Sequence, residues 1–176
     1  MDILSHGLYG GITLGRKSKR SFWTAFFYGI FPDAFAFGLP ISHLLFSMIT
    51  GGEADFIRGP EDGYRNIPTY VFSLYDISHS LVIFTAMFLL VSAIRRRPPW
   101  EMLAWGLHIV MDIFTHSDRF FPTPFLWPLS DFYVNGISWG SPAIFIPNVT
   151  LLAIAYGYWW YTRRKSRGMR SLPPNT

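Results

Sequence analysis

Residues 81–94 read LVIFTAMFLLVSAI and contain no charged side chain. They form the second half of an apolar run over 70–94, which is longer than the roughly 20 helical residues that a bilayer core needs. A run of this kind predicts a transmembrane helix, because backbone polar groups in lipid have to be paired within the segment itself.

Three further apolar runs lie on either side of this one, over 21–49, 100–117 and 142–162. A shorter, glycine-rich run over 2–15 precedes them. We therefore predict an all-α fold, a polytopic membrane helix bundle with about four spans plus a short N-terminal helix. Residues 1–162 would form a single membrane-embedded helical domain, and residues 163–176 a basic, disordered cytoplasmic tail.

The composition also favours a membrane protein. Half of the chain is apolar, 19% is aromatic and only 15% is charged, against about 25% charged residues in soluble domains. The chain has no cysteine, which excludes disulfides and thiolate metal sites. Any metal must therefore be bound by histidine and carboxylate.

Basic and acidic segments alternate between the runs. Segments 16–20, 95–97 and 163–170 are basic, whereas 50–69 and 118–141 carry more acidic than basic residues. Because cytoplasmic loops are enriched in lysine and arginine, the basic segments and the C-terminus are expected in the cytoplasm. They flank apolar runs instead of forming one face, so we expect no nucleic-acid partner, although they could dock a cytoplasmic protein.

Several ionisable residues lie in or beside the apolar runs, and no run has an internal lysine or arginine to neutralise the acids. They are His6, Asp33, Asp76, His79, His108, Asp112 and His116. A carboxylate in hydrocarbon has to be paired, protonated or bound to a cation. Histidines and carboxylates clustered without a basic partner predict a bound metal ion.

The strongest single pattern is His108-x3-Asp112-x3-His116. Positions four apart lie above one another on a helix, so these side chains form one stripe of nitrogen and oxygen donors. Zn²⁺ accepts both donor types at about 2.0–2.2 Å. The stripe could offer two ligands to one ion or divide its three ligands between two ions. A related phrase, an acid followed by a hydroxyl residue directly before a histidine, occurs at 2–6, 76–79 and 112–116.

The polar residues of the separate segments are estimated to lie at similar depths in the membrane. Counted from the basic ends at about 1.5 Å per residue, six of these residues lie about 15–24 Å up: His6, Asp33, His79, His108, Asp112 and His116. Separate segments thus bring their polar groups to one layer between the midplane and the outer face. A shared layer predicts a common metal site.

Some residues keep more than one interpretation. Asp33 follows Pro32 and could instead cap a helix segment that restarts there. Asp2 is expected to cap the first helix, and His43 is expected to have an ordinary interior role. Asp76 could be a ligand or could orient one. The aromatic, proline-rich loop 118–141 is either an interfacial connector or a lid over a site.

The ordered motifs Asp2-x2-Ser5-His6-Gly7, Phe31-Pro32-Asp33, Ser78-His79-Ser80 and His108-x3-Asp112-x3-His116 resemble the YdjM-like membrane-bound metal-dependent hydrolases. The resemblance covers residues 2–131. It implies a multi-pass hydrolase of the inner (cytoplasmic) membrane, as the family is described, with some members labelled LexA-binding. It also implies metal ligands at His6, Asp33, His79, His108 and Asp112. The chain departs from the family where Tyr75-Asp76-Ile77 precede Ser78-His79, since members often have His-Arg there. A looser similarity to zinc-dependent phospholipase C enzymes is an analogy.

We therefore expect a membrane-embedded metal-dependent hydrolase that cleaves an ester or phosphoester bond of a lipid or lipid-linked substrate. It would hold one or two divalent ions, Zn²⁺ by its ligand types. Asp76 and His116 are the expected catalytic residues, as general base or as completion of the metal shell. The alternative is intramembrane transport of metal ions or protons, which also uses Asp and His chains. The near absence of polar residues in the cytoplasmic halves of the runs argues against it.

Overall fold

The computed structural model describes residues 1–51 and 67–170, with side chains up to residue 165. Its helices are α1 (Ile3–Leu14), α2 (Lys19–Thr50), α3 (Thr69–Ser78), α4 (Leu81–Arg95), α5 (Leu103–Thr115) and α6 (Pro142–Arg170). A 3₁₀ turn over Trp100–Met102 leads into α5. The described residues contain no β-strand beyond one isolated bridge. The predicted all-α class is confirmed.

Two helices are long and apolar enough to cross a membrane, α2 and the Pro142–Lys165 part of α6. The pair α3 and α4, bent by 58°, adds a third if it counts as one span. The run over 100–117 forms only the 13 residues of α5, about 20 Å of helix against a hydrocarbon core of about 30 Å. The chain thus has two or three candidate spans, and the predicted four are not confirmed.

The bend between α3 and α4 comes at His79 and Ser80. The Ser80 hydroxyl caps α4 by accepting the N–H of Ile83 at 3.1 Å. The carbonyl of Ser78, at the end of α3, accepts the indole N–H of Trp105 at 2.7 Å. The N–H of Ile83 and the carbonyl of Ser78 lose their intrahelical partners at the break, and both form another hydrogen bond. The chain can therefore turn inside an apolar segment without leaving them unpaired.

The helix α1 packs closely against α2 and α5 through small residues. A Cβ on Gly29 would lie 2.5 Å from the backbone oxygen of His6. A Cβ on Gly10 would lie 2.6 Å from the backbone oxygen of Ala25 and 2.9 Å from Cβ of Ala104. Small residues allow this close approach of helices in membranes. The three helices therefore meet without room for another methyl group.

The outer surfaces of α2 and α6 are apolar. Exposed side chains include Phe27, Leu39 and Phe46 on α2, and Ile154 and Trp160 on α6. A soluble protein rarely exposes apolar patches of this extent. The exposed apolar surface is consistent with membrane association.

Three local expectations can be compared with the structure. Asp2 caps α1 as predicted, since its Oδ1 accepts the N–H of Ser5 at 2.9 Å. The helix α2 does not restart after Pro32 but continues through it, so the alternative that Asp33 is a cap is wrong. Membrane helices tolerate an internal proline. His43 is exposed on α2, so the expected interior role is also wrong.

The predicted cytoplasmic tail began at residue 163, but α6 continues as a helix to Arg170. Residues 171–176 of the tail lie outside the described residues. The same holds for 52–66, most of the acidic loop predicted to face outward.

We expect Gly29→Val to destabilise the protein, because the added side chain would meet the His6 backbone oxygen and push α1 away from α2. Overpacking of this kind typically costs about 1–3 kcal/mol. Gly38→Val is the matched control, since a Cβ on Gly38, also on α2, has nothing within 4 Å. Thermal unfolding in detergent measures both variants. Equal melting temperatures would contradict the close contact.

Candidate metal centre

Asp33, His79, His108 and Asp112 meet in the interior, and we call them the primary cluster. One ligand atom from each lies within 4.8 Å of all the others. Nε2 of His108 is 3.1 Å from Oδ2 of Asp112 and 3.8 Å from Oδ1 of Asp33. Nε2 of His79 is 3.6 Å and 3.5 Å from the same two oxygens. This buried group could bind a metal ion.

A backbone carbonyl fixes the ring of His108. Its Nδ1 lies 2.7 Å from the carbonyl oxygen of Gly29 on α2. A carbonyl only accepts hydrogen bonds, so Nδ1 carries the proton and donates it. Nε2 of the neutral ring then carries a lone pair that faces the carboxylates. The lack of a side chain on Gly29 permits the close helix approach on which this contact depends.

The ring of His79 is held in the same way from its own helix. Its Nδ1 lies 3.2 Å from the carbonyl oxygen of Tyr75 and 3.0 Å from the Ser78 hydroxyl oxygen. The Ser78 hydroxyl itself donates to the Tyr75 carbonyl at 3.3 Å, so it is free to accept from the ring. Nδ1 of His79 is therefore the donor, and in the neutral ring Nε2 also carries a lone pair.

The two lone pairs oppose each other. Nε2 of His79 and Nε2 of His108 lie 3.1 Å apart, and both face carboxylate oxygens. In a poorly screened interior, such an arrangement of neutral rings is repulsive unless a proton or a metal cation lies between the atoms. Within the described part of the chain, no lysine or arginine pairs with either carboxylate.

The spacing of the cluster suits a metal ion. A tetrahedral ion with bonds of about 2.0–2.2 Å separates its ligands by about 3.3–3.6 Å. The separations of 3.1–3.8 Å between the nitrogens and oxygens of the primary cluster fall around this range. The donor types, two imidazoles and two carboxylates, are those that zinc accepts.

His6 reaches the primary cluster from α1. Its ring stacks on that of His108 with 3.6 Å between centroids, and its Nε2 is 2.9 Å from Oδ1 of Asp112. This close pair lacks the geometry of a hydrogen bond, and neither ring nitrogen of the fully buried side chain has a hydrogen-bond partner among the described residues. Buried polar atoms are seldom left unpaired. A cation bound beside Asp112 would pair with Nε2.

His116 ends α5 on the other side of Asp112. Its Nε2 is 3.7 Å from Oδ1 of Asp112, and its Nδ1 lies 2.8 Å from the carbonyl oxygen of Phe121. The Tyr75 hydroxyl lies 2.9 Å from Nδ1 and donates to the same carbonyl at 2.9 Å. Phe121 has a φ of 46°, which is rare for a bulky residue and typical of strained positions near functional sites.

The aromatic loop after α5 helps to hold His116. The N–H of Gly136 donates to the His116 carbonyl at 2.8 Å, and the N–H of Ile137 donates to the Phe114 carbonyl at 3.1 Å. These carbonyls belong to the helix end, which has no intrahelical donors for them. Phe121 of the same loop is buried in the core. The loop therefore fixes the end of α5 that carries His116.

The predicted site residues come together to different degrees. Four of the five predicted ligands form the primary cluster, and the fifth, His6, contacts it. His116, one of the two predicted catalytic residues, lies beside it. Asp76, the other, is half-buried about one turn before His79 and makes no hydrogen bond or ion pair with the cluster within the described residues. Its role stays a prediction.

Sequence analysis missed the groups that orient the histidines. Tyr75 supplies a carbonyl to His79 and a hydroxyl to His116, and the carbonyls of Gly29 and Phe121 hold two further rings. Tyr75 carried a usable signal, because a tyrosine one helical turn before a histidine in an apolar run needs a partner for its hydroxyl. The two carbonyls belong to the backbone, and no residue type marks them.

The fold and the site define an all-helical protein with two or three candidate membrane spans and an internal group of histidines and aspartates that could bind a metal ion. Comparison of the chain with models of protein families, with curated proteins and with solved structures finds no match. A function therefore has to be inferred from the chemistry of the site.

We expect the purified protein to bind a divalent cation and His108→Ala to bind it far more weakly. Loss of a mere outer-shell partner typically lowers metal affinity by about 10–100-fold, so loss of a direct ligand should lower it at least as much. His43→Ala is the control, because His43 is an exposed histidine on α2 outside the cluster. Elemental analysis after equilibration with Zn²⁺ measures both. Equal metal content in the two variants would contradict the site.

Proposed function

We propose that the protein is a membrane-embedded, metal-dependent hydrolase that cleaves an ester or phosphoester bond of a lipid or lipid-linked substrate. The observation that carries this proposal is the primary cluster, whose opposed imidazole lone pairs and carboxylates lie buried inside a bundle of apolar helices. We propose Zn²⁺ as its ion, since nitrogen and oxygen ligands near tetrahedral spacing suit zinc.

A divalent ion held by these residues would lower the pKa of a water toward neutrality and polarise the scissile group. The reaction also needs a group that takes up a proton, and His116 and Asp76 are the candidates. Donation from Nδ1 of His116 to the Phe121 carbonyl leaves a lone pair on its Nε2, beside the cluster. Asp76 lies outside the cluster on α3, about one turn from His79.

The most open side of the cluster favours a lipid substrate. The side chain of Asp33 is 13% exposed, whereas those of His79, His108 and Asp112 are 0% exposed. Asp33 lies 14 steps of about 1.5 Å, or about 21 Å, from the start of the candidate span α2. Phe31 and Phe35 of the same span are exposed. A substrate that reaches Asp33 would thus approach past a lipid-facing surface, which suits an amphiphile.

The packing next to the cluster favours hydrolysis over transport. A transporter needs a polar route from its site to both faces of the membrane. Between the cluster and the basic end of the bundle, α1, α2 and α5 meet at Gly10, Ala25 and Ala104, where an added Cβ would collide with its neighbours. Ala25 and Ala104 are buried and apolar. A site closed toward one face is suited to an enzyme.

The resemblance to the YdjM-like hydrolases supports the same proposal. Its motifs contain His6, Asp33, His79, His108 and Asp112, which lie far apart in the chain and meet in the structure. We propose membership of that family, together with its inner-membrane location, on this ground.

We expect the protein in mixed micelles to hydrolyse a fluorogenic lipid phosphodiester or carboxylic ester, to lose this activity with a chelator and to regain it with Zn²⁺. His108→Ala should lower kcat by on the order of 100-fold or more, because the ion that activates the water would be lost. His43→Ala should keep the wild-type rate. Metal-loaded protein that cleaves neither class of lipid would argue against the hydrolase.

We further propose that the basic segments face the cytoplasm and that 118–141 faces outward. Because the chain has no cysteine, each introduced cysteine is a single label site. An impermeant maleimide should label Ser138→Cys in intact spheroplasts and should label Pro98→Cys only after permeabilisation. Both positions are exposed. The reverse pattern would overturn this orientation.

A further inference from the structure

The two oxygens of Asp112 face different pairs of histidines. Oδ2 is 3.1 Å from Nε2 of His108 and 3.6 Å from Nε2 of His79, both members of the primary cluster. Oδ1 is 2.9 Å from Nε2 of His6 and 3.7 Å from Nε2 of His116. One carboxylate thus stands between two sets of imidazole nitrogens.

The second set has the same electrostatic conflict as the first. Nδ1 of His116 donates to the Phe121 carbonyl, so its Nε2 presents a lone pair toward Oδ1 of Asp112. His6 is fully buried and has no hydrogen-bond partner at either ring nitrogen among the described residues, although Nε2 lies 2.9 Å from the same oxygen. Oδ1 of Asp112 therefore lies within 3.7 Å of both nitrogens, and a positive charge beside it is stabilised.

A positively charged group fits at this point. The α-amino group of Met1 contacts Oδ1 of Asp112 and lies 3.2 Å from Nε2 of His116. The position beside Oδ1 therefore has room for a cationic atom and the negative potential to hold it. Nothing comparable approaches from a lysine or arginine within the part of the chain that the structure describes.

We propose that the centre binds a second divalent cation, held by His6, His116 and Oδ1 of Asp112, so that the Asp112 carboxylate bridges two ions. This inference rests on the metal centre of the proposed function, but not on hydrolysis itself. A bridged pair of ions about 3.5–4 Å apart is suited to phosphoester cleavage, because the attacking and the leaving oxygen can both be stabilised. His116 would then be a ligand, and Asp76 would remain the candidate base.

The first experiment counts ions. Wild-type protein with a C-terminal tag, which leaves Met1 unaltered, is saturated with Mn²⁺ or Zn²⁺ in detergent, passed over a desalting column and analysed for metal. We expect about two equivalents for wild type, about one for His116→Ala and for His79→Ala, and a loss of both for Asp112→Ala. His43→Ala should keep the wild-type count, since His43 is exposed and outside both sets.

The main measurement of the second experiment is made on the wild type, so it does not depend on whether a variant folds. Two Mn²⁺ ions bridged by one carboxylate are magnetically coupled, so electron paramagnetic resonance of Mn²⁺-loaded wild type should show a coupled pair. His116→Gln should convert this signal to that of an isolated ion. Wild type with one equivalent and an isolated-ion spectrum at saturating Mn²⁺ would overturn the second site.

The results separate this inference from the proposed function. One bound ion with chelator-sensitive lipid hydrolysis would leave the hydrolase standing and remove the second site. Two coupled ions without hydrolysis of any lipid would support the second site and argue against the hydrolase. Two coupled ions that survive His6→Ala and His116→Ala unchanged would overturn the ligand assignment made here.

Discussion

Two imidazole nitrogens lie 3.1 Å apart inside an apolar bundle, with two carboxylates against them. A positive charge between these atoms, either a proton or a metal ion, makes the arrangement favourable, because the interior screens charge poorly. Much of the backbone is arranged to keep them there. The Gly29 carbonyl orients His108, the Tyr75 carbonyl orients His79, and both contacts depend on helices that approach or bend at one point. The fold therefore holds these atoms close together, and a bound ion would remove the repulsion between them.

The helix packing follows from this demand. The candidate ligands lie on α1, α2 and α5 and directly after α3, so four chain segments have to converge within a few ångströms. Gly29 makes the convergence of α1 and α2 possible, since a Cβ at this position would meet the backbone of His6. The same close packing at Gly10, Ala25 and Ala104 closes the bundle toward the basic segments. Close packing thus serves both the geometry of the ligands and the closure of the site.

Sequence patterns predicted which residues come together, because helix periodicity and depth along a helix can be read from the order of the residues. His108 and Asp112, one turn apart, do share a face of α5, and residues estimated to lie at one depth do meet. The orienting carbonyls could not be predicted, because backbone groups leave no trace in residue type. Tyr75 could have been found, since its hydroxyl had to be paired inside an apolar run.

The errors in the predicted architecture have one physical origin. Hydropathy measures how many residues can span a bilayer, and it treats each run as a straight rod. In a straight helix over 70–94, His79 would lie in the middle of the helix. The direction of its ring would then be fixed by helix geometry alone. The bend at Ser80 instead makes His79 the residue that directly follows α3, where its backbone is no longer helical and its ring is anchored by Tyr75 and Ser78. Likewise α5 stops at Thr115, so that His116 leaves the helix in an extended conformation and turns its Nδ1 to the Phe121 carbonyl. The departures from simple spans therefore occur at the ligands themselves, where directing a nitrogen at a shared point matters more than crossing the membrane in one helix.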